Sequence, residues 1–229
     1  MKTIIYYTSN KEDAAFEQRI VDGIMEVKGS LPVISVSQRK MDFGENICVG
    51  NVGHTYFNAF RQLLIGCEKA MTPYVVMAES DCLYPKTGYF DFTPTSLDTI
   101  YSYDNVWVLW QRTPTDRQFK IWGTDYRNDG KDYFFHKDCT HASLIYGREF
   151  LIGLLKEALK DKPMWSTSKI HFALHQPGNK WQSFTGAPII NIKTSRGMSN
   201  GTRLNGVAPR EVLDYWGSAL EMKSRLWKN

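Results

Sequence analysis

Long apolar runs are missing from this chain. None of its hydrophobic stretches approaches the roughly 18 residues that cross a bilayer, so no membrane span is expected. The opening Met1-Lys2-Thr3-Ile4-Ile5-Tyr6-Tyr7 is apolar only as far as Thr8-Ser9-Asn10. That is too short for an export signal and reads as a first strand. Cysteine pairs are missing as well. Cys48, Cys67, Cys82 and Cys139 lie far apart and form no C-x-x-C, which argues against a zinc site or disulfide framework and for a reducing, cytoplasmic setting. A strong charge bias is absent too: a net charge of +4 permits an anionic partner without demanding one. With no repeats, low-complexity tracts or linkers, the 229 residues are expected to form one domain.

What is present is an α/β pattern. Thr3 to Thr8 reads as a buried strand. Phe16, Ile20, Ile24 and Val27 then recur at helical spacing, and Leu31 to Val36 is a second strand, which makes the opening a βαβ unit with parallel strands. A polar loop from Ser37 to Glu45 and a glycine-bearing stretch follow. Tyr56 to Ala70 is helical, with Phe57, Phe60, Leu63, Leu64 and Cys67 on one face, and Thr72-Pro73 ends it. Tyr74 to Ala78 is a continuous apolar strand, as a central strand covered on both faces requires. Further on, 101–111 and 118–122 read as strands of a meander or mixed sheet, 142–146 and 189–192 as strands, and 148–160 and 209–227 as helices. Aromatics make up 14% of the chain and serve mainly to fill the core.

Chemistry concentrates where the central strand ends. Open α/β sheets bind ligands beyond the carboxyl ends of their strands. Glu79 and Asp81 stand there, two residues apart, and in extended chain both can point to one side. Paired carboxylates suit Mg²⁺ or Mn²⁺, which take oxygen ligands from the protein and from phosphates. Read without context, E-x-D also fits a solvated loop.

The segment YVVMAESDCLYP resembles the metal-binding stretch of GT-A glycosyltransferases, where an apolar strand runs into D-x-D or E-x-D. HTYFNAFRQLLIGCEKA resembles the helix before it, and IIYYTSN the segment under the nucleotide base. The resemblance implies a GT-A-like, Rossmann-type mixed sheet flanked by helices. It also implies a metal-dependent transfer of sugar from a nucleotide sugar, a UDP-sugar in the first place, to an acceptor hydroxyl. By it, Thr8, Ser9 and Asn10 lie near the base, Arg61 near the ribose or diphosphate, Ser80 beside the donor, and Asp81 and Glu79 on Mn²⁺ or Mg²⁺. Small viral and phage enzymes of this look imply 5-hydroxymethylpyrimidine in DNA as one acceptor, and a bacterial or virus-infected cytoplasm as the setting. A surface glycan is the other acceptor.

The late loop NIKTSRGMSNGTR carries no His to complete a family-type metal shell. Lys193 and Arg196 are its phosphate-binding candidates, and Gly197 and Gly201 could hinge a lid. His171 and His175 have i, i+4 spacing but lack the glutamate of H-E-x-x-H. Inverting transfer needs a general base, for which Asp138, in a loop before ASLIY, is the choice. Two other classes stay open, a nucleotidyltransferase and a non-catalytic nucleic-acid-binding module. The first is disfavoured because TSNKEDAAFE, after the first strand, is not glycine-rich.

Overall fold

Successive residues of the first strand, β1 (Lys2–Thr8), go to opposite cores. Ile4 and Tyr6 pack with Phe16, Ile20 and Ile24 on one side, while Ile5 and Tyr7 pack with Phe57, Leu63 and Cys67 on the other. A strand covered on both faces is buried along its whole length, and β1 has no exposed residue. The computed structural model describes residues 1–138, 140–198 and 201–227. Cys139 and part of the late loop, residues 199 and 200, lie outside the described residues.

A seven-stranded mixed sheet runs through the centre in the order β10-β6-β9-β4-β1-β2-β3. Its parallel half is β4 (Tyr74–Glu79), β1, β2 (Val33–Ser37) and β3 (Glu45–Cys48). The strand β9 (Leu144–Gly147) runs antiparallel between β4 and β6 (Thr99–Tyr103), and β10 (Lys180–Phe184) lies parallel outside β6. The helices α2 (Tyr56–Lys69) and α4 (Arg148–Leu159) cover one face and pack on each other. The other face carries α1 (Ala14–Val27), α5 (Ala219–Trp227) and a second sheet in the order β5-β11-β7-β8. Its strands are β5 (Cys82–Leu83), β7 (Val106–Trp110), β8 (Phe135–Lys137) and β11 (Ile189–Lys193). The expected α/β architecture, one domain with a mixed sheet flanked by helices, is what the chain forms. Among the described residues no helix is long and apolar enough to cross a membrane.

Several elements differ from the sequence pattern. The stretch 118–122 is helical, within α3 (Asp116–Ile121), because Gln118 reaches back to the Thr115 amide at 2.9 Å and caps the turn. Only Phe119 of that helix is buried, so no strand-like alternation exists to be satisfied. The expected helix over 209–227 is reduced to α5. Its first half forms a two-stranded hairpin of β12 (Val212–Leu213) and β13 (Gly217–Ser218), entered through Gly217 at φ +79°, a conformation side chains resist. The edge strands β3 and β10 escape the pattern because four of the five residues in β10 are exposed and none of β3 is buried.

Helix α2 packs closely on the sheet at Gly66. A Cβ at Gly66 would stand 2.6 Å from Ile5 Cγ2 and 3.2 Å from Val36 Cγ2. From the same helix, the Arg61 guanidinium donates to the carbonyls of Leu159, Lys162 and Pro163 at 2.9 to 3.0 Å, which ends α4 and fastens the following turn to α2. It also lies over the Phe57 ring.

Two stability predictions follow from this interface. Gly66→Val should lower the urea unfolding midpoint by the equivalent of about 2 kcal/mol, the cost of an overpacked core. Gly66→Ala should lose less, because Ala regains about 1 kcal/mol of helix propensity. Equal losses would show that the close contact does not set the cost. Arg61→Met should cost about 2 kcal/mol through its abandoned carbonyls and leave ligand binding in the cleft described below unchanged, as read by calorimetric titration.

Candidate functional site

The neighbouring parallel strands β1 and β4 are in register with Tyr7 opposite Glu79, so both chains leave the sheet at one edge. There the Tyr7 hydroxyl donates to the Glu79 carboxylate. The chain then turns through Ser80 and Asp81 into β5, which pairs antiparallel with β11. The Ile192 amide donates to the Asp81 carbonyl at 2.6 Å, so the residue after it, Lys193, is delivered to the same place. Lys137 arrives from β8, its Nζ 3.4 Å from Asn191 Oδ1. Four charged side chains thus meet from three strands and one turn, and Glu79, Asp81, Lys137 and Lys193 all line one cavity of about 240 Å³.

These charges are under strain. Burial pushes the Glu79 carboxyl up to about 7, with repulsion from Asp81 adding to it, while the Tyr7 hydrogen bond, Lys193 and Lys137 oppose the shift. Burial lowers the Lys137 ammonium from its ordinary value, and the neighbouring Lys193 charge lowers it further. Glu79, Asp81 and Cys82 each bring one ligand-type atom within 4.8 Å of the others, a donor set that can hold a metal ion. Burial raises the Cys82 thiol well above its usual range. A neutral thiol is a poor ligand for a hard cation, so the two carboxylates are the useful pair for Mg²⁺ or Mn²⁺.

A second, narrow chamber of about 60 Å³ adjoins the first between the β1–α1 loop and α2, sharing Tyr7, Glu79 and Asp81 with it. Glu12 enters this chamber and accepts a hydrogen bond from the Thr194 hydroxyl at 2.8 Å. Burial raises its pKa, and Asp81 contributes. Met198 lines both chambers, so the late loop lies across them. His141 faces the larger one with its pKa lowered to about 4, chiefly by burial, and is a neutral imidazole near pH 7.

Of the residues singled out from sequence, Glu79, Ser80 and Asp81 line the narrow chamber with Thr8 and Ser9, and Lys193 lines the larger one. Five assignments need correction. Arg61 is spent on the end of α4. Asn10 is buried at φ +51°, its side chain bonding Glu17 and the amides of Gln38 and Arg39, so it shapes the loop instead of presenting itself to a ligand. The Thr8 hydroxyl is likewise turned inward, donating to Glu17 at 2.5 Å. Arg196 is exposed and lines a separate groove with Arg19 and Trp227, on the far side of Glu12. Asp138, chosen as base, is exposed and absent from both chambers: strand alternation turns Lys137 inward and its neighbour out. His171 and His175 share no helix; His175 bonds the Tyr146 hydroxyl at 2.9 Å and stacks on His141.

Sequence reading missed Tyr7, Glu12, Lys137 and His141. Tyr7 and Glu12 flank the TSN segment and carried a signal in their nearness to it. Lys137 carried one in its place between aromatic residues and a loop, as an inward position of a short strand.

No family model matches the chain, and no curated protein matches it. Among solved structures, the bifunctional IspDF from Campylobacter jejuni is similar at a TM-score of 0.37 and 10% identity, over 81% of this chain and 49% of that one. The chain spans about half the length of that protein. So slight a likeness carries no functional argument. The GT-A family resemblance is corrected by these comparisons: no family model supports it, and the similar structure named above is that of a different protein.

Proposed function

We propose that the cleft binds a metal-chelated nucleoside diphosphate and that the protein transfers the group attached to it, a sugar, to an acceptor hydroxyl. One observation carries this reading: two carboxylates and two lysines line a single cavity. A magnesium or manganese diphosphate presents that same pattern, a cation for the carboxylates and oxygens for the ammonium groups. The donor set fits such an ion, because Glu79 and Asp81 bring carboxylate oxygens within 4.8 Å of each other. Asp81 and Glu79 would hold it, and bound there it would neutralise charge building on the leaving diphosphate.

The chain's own groups complete the arrangement. Tyr7 keeps Glu79 aimed at the cavity through its hydroxyl. Lys137 and Lys193 receive phosphate oxygens, and Lys137, desolvated and beside another cation, gains most from an arriving anion. Ser9, Gln38 and His54 line the narrow chamber and offer polar groups to a base or ribose. At about 60 Å³ that chamber is far smaller than a ligand pocket. Entry of a nucleoside therefore requires the loop carrying Gly197 and Met198 to move, as lids do.

The test is donor hydrolysis with Mn²⁺ and a panel of UDP- and GDP-sugars. One donor should release its nucleoside diphosphate, and EDTA should stop the release. Asp81→Asn should reduce the rate about 100-fold or more, the scale of a lost electrostatic stabiliser of the transition state. Lys137→Met should weaken nucleotide binding about tenfold, the loss of one charge-assisted contact. Release of pyrophosphate from a nucleoside triphosphate would replace sugar transfer by nucleotidyl transfer. No release and no nucleotide binding would end the reading.

A further inference from the structure

A third cavity, about 660 Å³, opens beside the carboxylate–lysine chamber and shares Tyr56, Phe60, His141 and Met198 with it. Its walls are the start of α2 and residues 167–172. The floor is a set of edge-to-face rings. Phe172 meets Phe57 at 6.0 Å and Phe60 at 4.9 Å, and Phe60 meets His141 at 5.0 Å. Tyr56 stands at the rim, 50% exposed.

The chemistry of this lining selects among ligands. None of its residues is Asp, Glu, Asn or Gln. The side-chain acceptors it does offer are the hydroxyls of Thr55, Tyr56 and Thr167 and the imidazoles of His54, His141 and His171, so a neutral polyol would find none of the carboxylates and amides that usually take its hydroxyl protons. Lys169 is the one permanently charged side chain of the lining, and the positive end of the α2 dipole faces the same space. Flat apolar faces beside an isolated cation suit a base with its phosphate: bases of any sequence stack on aromatic rings, and Lys meets the backbone. The volume is that of a small-ligand site, large enough for a nucleotide.

We infer that this groove holds single-stranded nucleic acid, one base stacked at Tyr56 with its phosphate on Lys169, and that it presents the acceptor to the adjoining cleft. The presenting role rests on the proposed transfer reaction; the binding does not. The shared wall of Phe60 and His141 places a bound nucleotide directly next to the cavity where Glu79 and Asp81 stand. A duplex base would have to be extruded first, so single strands bind better than duplexes.

The experiment is fluorescence anisotropy of a fluorescein-labelled oligothymidylate, with a neutral malto-oligosaccharide as competitor and donor hydrolysis measured in parallel. The oligonucleotide should bind. Tyr56→Ala should weaken it roughly tenfold, the scale of one lost stacking partner. Lys169→Glu should weaken it and lower the slope of log affinity against log salt by about one. Asp81→Asn should bind as the wild type does. Both substituted groove residues are exposed, and circular dichroism of each variant checks the fold. Absence of binding, or binding that neither groove substitution alters, overturns the inference. So does displacement of the oligonucleotide by the oligosaccharide, which would make the groove a glycan site. Hydrolysis without oligonucleotide binding leaves the transfer reading standing. Binding that responds to Tyr56 and Lys169 without hydrolysis of any donor leaves the groove and removes the transfer reading.

Discussion

The pairing of β1 with β4 is the constraint from which the rest of the cleft follows. Their register puts Tyr7 opposite Glu79, and everything at the site is placed from there. A shift by one residue would turn each side chain of β1 to the wrong core and separate the hydroxyl from the carboxylate it holds. The strands can carry this precision because both faces are packed, α2 and α4 on one side, α1 and the second sheet on the other. The core thereby fixes the positions of charged groups that would otherwise move apart.

The charged groups explain why the site needs that rigidity. Glu79 beside Asp81, and Lys137 beside Lys193, are two like-charge pairs that water would separate. The fold holds them where burial raises the Glu79 pKa and lowers that of Lys137, with the like-charged neighbour adding to each shift. Such stored repulsion is relieved by a ligand carrying both signs of charge. A cluster arranged only for stability would interleave the signs as close ion pairs. Here no ion pair within 4.0 Å joins these four residues, while surface pairs such as Lys69 with Glu45 at 2.7 Å form freely.

The parallel half of the sheet and its helices were legible because their physics is local and periodic. Phe57, Phe60, Leu63 and Leu64 mark α2, and the unbroken apolar run of β4 marks a central strand. Glu79 and Asp81 were legible for the same reason, as the first polar residues beyond such a run. The lysines were harder to see. Lys193 appeared as part of a basic loop, and nothing in its neighbourhood distinguishes it from Arg196, which faces away. Lys137 depends on β8 pairing with β7, a contact between distant segments. Arg61 misled because a cation on a helix before the acidic motif has two uses, and only the position of the α4 C-terminus decides between them. Asp138 misled because one residue of register separates a side chain in the cleft from one in solvent.

The bond from the Ile192 amide to the Asp81 carbonyl joins segments more than a hundred residues apart, and it extends the β5–β11 pairing of the second sheet. That distance has a consequence for how the protein comes into being. Residues 1–83 carry the parallel strands and the two carboxylates, whereas Lys137 and Lys193 follow later in the chain on β8 and β11. A chain still emerging from synthesis therefore passes through a stage in which its acidic pair is formed and uncompensated. The two carboxylates are thus synthesised before either of the lysines that share their cavity.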